Sequence, residues 1–120
     1  MISTSDTGLD GFLAGLCRCG LKPVVEAGVV TITIEPINGA RAGQALESGV
    51  SVDEVGGWPA VPPHWVHFPD DLAFAQSNTQ PSTKPGWTKH SRQINRWGNA
   101  AEPAQAWVAH LRAVAGEASS

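Results

Sequence analysis

A chain of 120 residues fits one domain, and at that size roughly two thirds of the unfolded surface is buried on folding. Hydrophobic residues make up 42% and charged residues 16%, which excludes a disordered chain. The net charge of −3 argues against a protein-wide electrostatic footprint for nucleic acid, and there is no apolar run long enough to span a bilayer. The first ten residues, MISTSDTGLD, lack the basic and apolar regions of a signal peptide, so the expected location is the cytoplasm.

The segment DTGLDGFLAGLCRCG reads as a short helix. Leu9, Phe12, Leu13 and Leu16 fall on one face, Asp6 or Thr7 stands at its start, and Gly20 followed by Pro23 stops it. VVEAGVVTITIEP is β-rich: Val30, Ile32 and Ile34 alternate with Thr31, Thr33 and Glu35, the pattern of a half-buried strand, and Gly28 marks a turn or bulge. Asn38-Gly39 is a turn signal, and ALESGVSVDEV reads as a further strand. PAVPP then leads into HWVHF, a short aromatic and β-branched strand, and AQSNTQPSTKPG reads as a loop. GWTKHSRQINRWG, residues 86 to 98, fits a helix with Trp87, His90, Ile94 and Trp97 on one face and Lys89, Arg92 and Arg96 on the other. The last helix is the clearest. Pro103 suits its first position, Ala104, Trp107, Val108, Leu111, Val114 and Ala115 form its stripe, and Gly116 ends it. Residues 1–5 and 117–120 read as frayed. Strands that run together between two helices favour an α+β domain over residues 1–120 with a mainly antiparallel sheet.

Three groups of side chains bear on chemistry. Cys17 and Cys19 lie about 200° apart on a helix, so they neither share a metal nor pair easily, and Cys19 falls on the apolar side. His64 and His67, three apart in a strand, point to opposite faces: His64 with Val66 and Phe68, His67 with Trp65. That separation argues against a shared metal, and no cofactor is expected. His90, set among tryptophans, is either a buried, backbone-bonded histidine or a base, and Ser91 beside it points about 100° away on a helix. Lys84, Lys89, Arg92 and Arg96 fall in a stretch between Asp71 and Glu102 that holds no acid. They could form a docking surface for an acidic protein, with nucleic acid the less favoured partner.

WPAVPPHWVHFP resembles the flap of ubiquitin-conjugating-enzyme-like (UBC/RWD-like) domains. There an aromatic-Pro pair, here Trp58-Pro59, precedes a Pro-Pro, here Pro62-Pro63, and a strand, here Trp65 to Phe68. GWTKHSRQINRW followed by a helix resembles the corresponding region of prokaryotic ubiquitin-conjugating-like family E, with Trp87, His90-Ser91-Arg92 and Trp97 as the matching positions. The resemblance runs from about Trp58 to Ala115 and is topological before that. It implies a single domain with an N-terminal helix, an antiparallel β-meander, a proline-rich flap and a C-terminal helix. It also implies partnership with a ubiquitin-like protein, an activating enzyme, or both.

Thioester relay needs a thiol downstream of the flap, and no cysteine follows Cys19. There is no His-Pro-Asn motif, and His-Ser-Arg stands where the family has Ser-Arg-His. The expectation is an adaptor of a bacterial ubiquitin-like modification system without thioester activity, docking through its first helix and flap. The binding residues would be Trp58, Pro62, Pro63, Trp65, Trp87, Lys89, Arg92 and Arg96. One alternative is the basic-patch binding module; another is acyl chemistry at His90 or Ser91.

Overall fold

The computed structural model describes residues 7–74, 78–94, 97 and 102–118. Helix α1 (Gly8–Arg18) is followed by strands β1 (Val24–Glu26), β2 (Val29–Ile34) and β3 (Leu46–Ser51), then by a 3-10 turn (Val52–Glu54). Strands β4 (Trp65–Pro69), β5 (Thr79–Pro81) and β6 (Trp87–Ser91) follow, and helix α2 (Pro103–Ala115) closes the order. The fold is α+β. All six strands form one antiparallel sheet in the order β1-β2-β3-β4-β6-β5. No helix among the described residues is long and apolar enough to cross a membrane.

Both helices form where their apolar spacing places them. In α1, Phe12 and Leu16 are buried while Leu9 and Leu13 pack at the edge. Thr7 is the N-cap, although its side chain makes no capping bond. The end of α1 is a Schellman turn: the Gly20 amide donates to the Cys17 carbonyl and the Leu21 amide to the Leu16 carbonyl, with Gly20 at φ +84°. That left-handed φ is why a glycine stands there. Helix α2 starts at Pro103, where the missing N–H leaves no partner wanting, and buries Ala104, Trp107, Leu111, Val114 and Ala115. The helices touch closely at Gly15, where an added Cβ would lie 2.7 Å from the Ala104 Cβ.

One face of the sheet carries Val30, Ile32, Ile34, Leu46, Val50, Val66 and Phe68, which join the helices in one core. β1 and β2 form a hairpin whose loop is Ala27-Gly28, both at positive φ, the geometry that matches strand twist. Asn38-Gly39 lies instead in a longer connection from β2 to β3, packed on the end of α2. A Cβ on Gly39 would meet the Gly116 carbonyl oxygen at 2.0 Å.

Four expectations need correction. Residues 87–91 form a strand, not a helix: β6 pairs with β4 from Trp65↔Ser91 to Pro69↔Trp87. The segment read wholly as loop contains β5, an edge strand whose Pro81 has no N–H to offer. β2 is not half-buried. Val29 and Thr31, on the face away from the helices, are also buried. The tail is packed as far as Ala118, which bridges Phe74 and is 3% exposed, while Glu117 pairs with Arg92 at 3.1 Å. Residues 1–5, also read as frayed, lie outside the described residues.

The burial of β2 on both faces has a visible cause. The β5–β6 connection, residues 82–86, folds back over the outer face of the sheet as a strap. The Thr83 hydroxyl donates to the Ala27 carbonyl at 2.8 Å, and Lys84 Nζ reaches Thr31 Oγ1 and Glu26 Oε1, both at 3.3 Å. Lys84 also sits 4.2 Å from the centroid of the Trp87 ring. Gly49 in β3 leaves room for that ring: its Cβ position is 3.7 Å from Trp87 Cζ3.

Candidate functional site, a cleft walled by the proline segment

Residues 55–64 link the 3-10 turn to β4. Their course is set by backbone hydrogen bonds: Trp58 N–H to Val55 O, Val61 N–H to Gly57 O, and Gly8 N–H to Trp58 O, the last tying the segment to the start of α1. The Trp58-Pro59 peptide is cis. Trp58 is buried, edge-on to Phe12 at 4.8 Å and tilted against Trp97 at 5.2 Å. The Trp97 indole N–H donates to the Pro59 carbonyl at 2.6 Å, fastening the far wall to the proline segment. Between the walls lies an open cleft of about 570 Å³, lined by Ala60, Pro62, Pro63, His64, Gln93, Ile94 and Trp97. Val61, at the turn of the segment, is 60% exposed.

His64 is one of the two polar residues that line this cleft. Its Nε2 is hydrogen-bonded to the Ser91 hydroxyl. Two further contacts hold its backbone. Glu54 Oε1 accepts from the amides of His64 and Trp65 at 3.0 and 3.3 Å, and the His64 carbonyl accepts from the Arg92 amide at 3.0 Å. The second bond continues the β4–β6 ladder one step past Trp65↔Ser91, so the sheet register itself brings residues 64 and 91 together. His64 does not share the core side with Val66 and Phe68, as its strand parity suggested. It precedes β4, and its ring turns to Ser91.

His90 has a different environment. It pairs with Val66 on the core side of β6, is 5% exposed, and packs its ring on Phe74 at 4.5 Å and Phe68 at 5.9 Å. Burial lowers its pKa, the nearby Arg92 charge adds to the lowering, and Asp70 works against it. Of the two sequence readings, the buried histidine is the one its surroundings match. Neighbours in a strand point to opposite faces, so His90 and Ser91 do not meet.

His67 forms a second His–Ser pair beneath the strap. Its Nδ1 is 2.7 Å from the Ser82 hydroxyl, and its Nε2 has no hydrogen-bond partner among the described residues. Burial pushes its pKa down to about 4, with the charges of Lys89 and His90 adding to the effect. The strand period that separated His64 from His67 does not apply, because His64 precedes β4; the two rings instead hold different serines, Ser91 and Ser82.

The basic side chains are engaged within the fold. Lys84 is held by Glu26, Thr31 and Trp87, and Lys89 lies 5.1 Å from the Trp65 ring centroid. Arg92 binds Glu117 and the Ser91 carbonyl, and lies 5.8 Å from the Phe74 ring centroid. Arg96 lies outside the described residues. Of the eight binding residues expected from the sequence, Pro62 and Pro63 line the cleft. Trp58 supports it from the core, and Trp65, Trp87 and Lys89 share the outer face of the sheet with Ser91 and are not among the lining residues. Cys17 is exposed on α1. Cys19 is half-buried in a separate hollow with Leu21, Ile34 and Val108, where desolvation and the Glu102 charge raise its pKa. No group of three His, Cys, Asp or Glu side chains suited to a metal occurs among the described residues.

Sequence reasoning missed the His64–Ser91 pair because it weighed His64 only against His67 and Ser91 only against His90. The missing signal was the antiparallel register of β4 and β6, which brings together partners separated by 27 positions in sequence. Comparisons with protein-family models, with curated proteins and with solved structures returned no match.

Proposed function

We propose that this chain is a ubiquitin-conjugating-like domain acting as a binding component of a bacterial ubiquitin-like modification system, without thioester relay. The observation that carries the reading is the cleft. The Trp58-Pro59 to Pro62-Pro63 segment that resembles the family's flap forms one wall, Trp97 is fastened to it, and neither of the two cysteines is among the lining residues. An open cleft with apolar walls and the polar groups of His64 and Gln93 suits an extended tail better than a compact ligand. The C-terminal tail of a ubiquitin-like protein is such a ligand. The order of elements, with helices at both ends of an antiparallel sheet and the flap before β4, agrees with the same class. Asp10, Cys17 and Arg18 are exposed on α1 and offer a second surface, for an activating enzyme.

The test is titration of isotope-labelled protein with a ubiquitin-like protein of the same system, followed by NMR. The expected result is shifts confined to the Trp97 indole, Val61, His64 and Gln93. Adding activating enzyme and ATP should give no adduct that a reducing agent removes. Absence of binding, or a thioester mapped to Cys17, would overturn the reading.

A further inference from the structure

We propose that Ser91 is an acyl-accepting nucleophile and His64 its general base. The substrate class is a carboxyl group activated as a thioester or ester, presented in the cleft on a slim, extended chain. Identifying that chain as a ubiquitin-like tail rests on the function proposed above; the Ser91 chemistry does not.

Three observations converge. The Ser91 hydroxyl is hydrogen-bonded to His64 Nε2, the arrangement that lets an imidazole take the proton as the hydroxyl attacks. His64 lines the cleft, as do Gln93 and Ile94, two and three residues beyond Ser91; Ser91 is not a lining residue, is half-buried and meets the cleft through its bond to His64. The pair is also fixed from behind. Glu54 holds the amides of His64 and Trp65, and the Arg92 amide holds the His64 carbonyl. Glu54 is therefore a positioning residue: it anchors the main chain that carries the base, where a triad acid would anchor the ring.

The chemistry balances without a redox partner. With the ring proton on Nδ1, Nε2 accepts the Ser91 proton as Oγ bonds to the carbonyl carbon. The carbon–sulfur bond of the thioester breaks, and the leaving thiolate takes the proton from His64. The products are a Ser91 oxyester and a free thiol. Water or an amine then attacks the ester, passing its proton through His64 back to Ser91 Oγ. The second His–Ser pair, His67 with Ser82, supplies the internal control, because it has the same groups but its histidine is buried under the strap and does not line the cleft.

The experiment treats the folded full-length chain with a fluorophosphonate and follows labelling by intact mass and peptide mapping. A single adduct on Ser91 is expected. Ser91→Ala should abolish it, and His64→Gln should slow it about 100-fold, the lower range for loss of a general base. Ser82→Ala should leave it within about twofold of the parent chain. Glu54→Gln should slow labelling less than His64→Gln, and p-nitrophenyl acetate turnover should show the same ranking. Circular dichroism confirms that each variant is folded. As a second probe, Ser91→Cys in a chain with Cys17→Ser and Cys19→Ser should react with iodoacetamide faster than Ser82→Cys in the same background. Labelling that survives Ser91→Ala, equal rates with and without His64, or no labelling of the folded chain would overturn the proposal. Neither probe needs a ubiquitin-like protein. Tail binding without labelling would therefore sink only this inference, and labelling without tail binding only the docking reading.

Discussion

His64 and His67 are three residues apart, and each holds a serine hydroxyl, yet the two pairs live in opposite surroundings. His67 is closed under residues 82–86, the segment that carries Ser82; it is 1% exposed and its Nε2 is unpartnered among the described residues. His64 and Ser91 are half-buried, and His64 lines an open cleft. The chemistry of the groups is the same, so the difference comes from what lies above them. Strap and sheet make one pair part of the packing; the proline segment leaves the other open to a ligand.

The largest expected effect lies on the covered side. His67→Ala leaves a void under the strap and removes the partner of Ser82, which should destabilise by about 3 kcal/mol in urea unfolding. His64→Ala should stay within about 1 kcal/mol, as for a partly exposed side chain. Equal losses would break the comparison.

Acid should act on the covered histidine almost as strongly. The unfolded chain protonates His67 near 6.5, whereas the folded chain resists protonation until about 4. Stability is therefore complete above pH 6.5 and lost as pH falls from there to 4, by roughly 3 kcal/mol from this residue. His90 and His110, also held low by burial, steepen the same slope. His67→Gln keeps a group for Ser82 and removes the titration, so ΔG of unfolding against pH should flatten without becoming level. An unchanged slope would mean that the strap does not keep His67 neutral.

Smaller effects sharpen the contrast. Gly49→Ala places a Cβ 2.6 Å from Val29 Cγ1 and 2.9 Å from the Val30 carbonyl, beneath the Trp87 ring. Overpacking there should cost about 2 kcal/mol, seen as a lower thermal midpoint. On the cleft side, Trp97→Phe removes the hydrogen bond to the Pro59 carbonyl, for a loss of about 1 kcal/mol, and should weaken whatever the cleft binds. Ser91→Ala should change stability least, by about 0.5 kcal/mol or less, so any loss of labelling it causes is chemical.

What was legible in the sequence was local. The 3.6-residue spacing in α1 and α2 fixes which side chains face the core, and Gly20 and Pro103 mark ends that need only their own backbone geometry. The alternation of Val30, Ile32 and Ile34 marked a strand and Gly28 a turn or bulge; pairing of β1 with β2 made it the turn of the first hairpin. Pro62 and Pro63 announced an extended crossing into β4, whereas the parity argument for His64 and His67 failed because His64 lies before the strand begins.

The rest depended on contacts between distant residues. Trp87, His90, Ile94 and Trp97 fit a helical face, but residues 87 to 91 also alternate, with Thr88 and His90 on one side and Trp87, Lys89 and Ser91 on the other. Periodicity alone could not choose between them; pairing with β4 did, because it buries His90 against Phe74 and opposite Val66. The burial of Val29 and Thr31, the closing of the strap over His67 and the meeting of His64 with Ser91 all follow from that register. A chain can encode its turns and faces residue by residue. Which hydroxyl meets which imidazole is decided only when two strands far apart in sequence lie side by side.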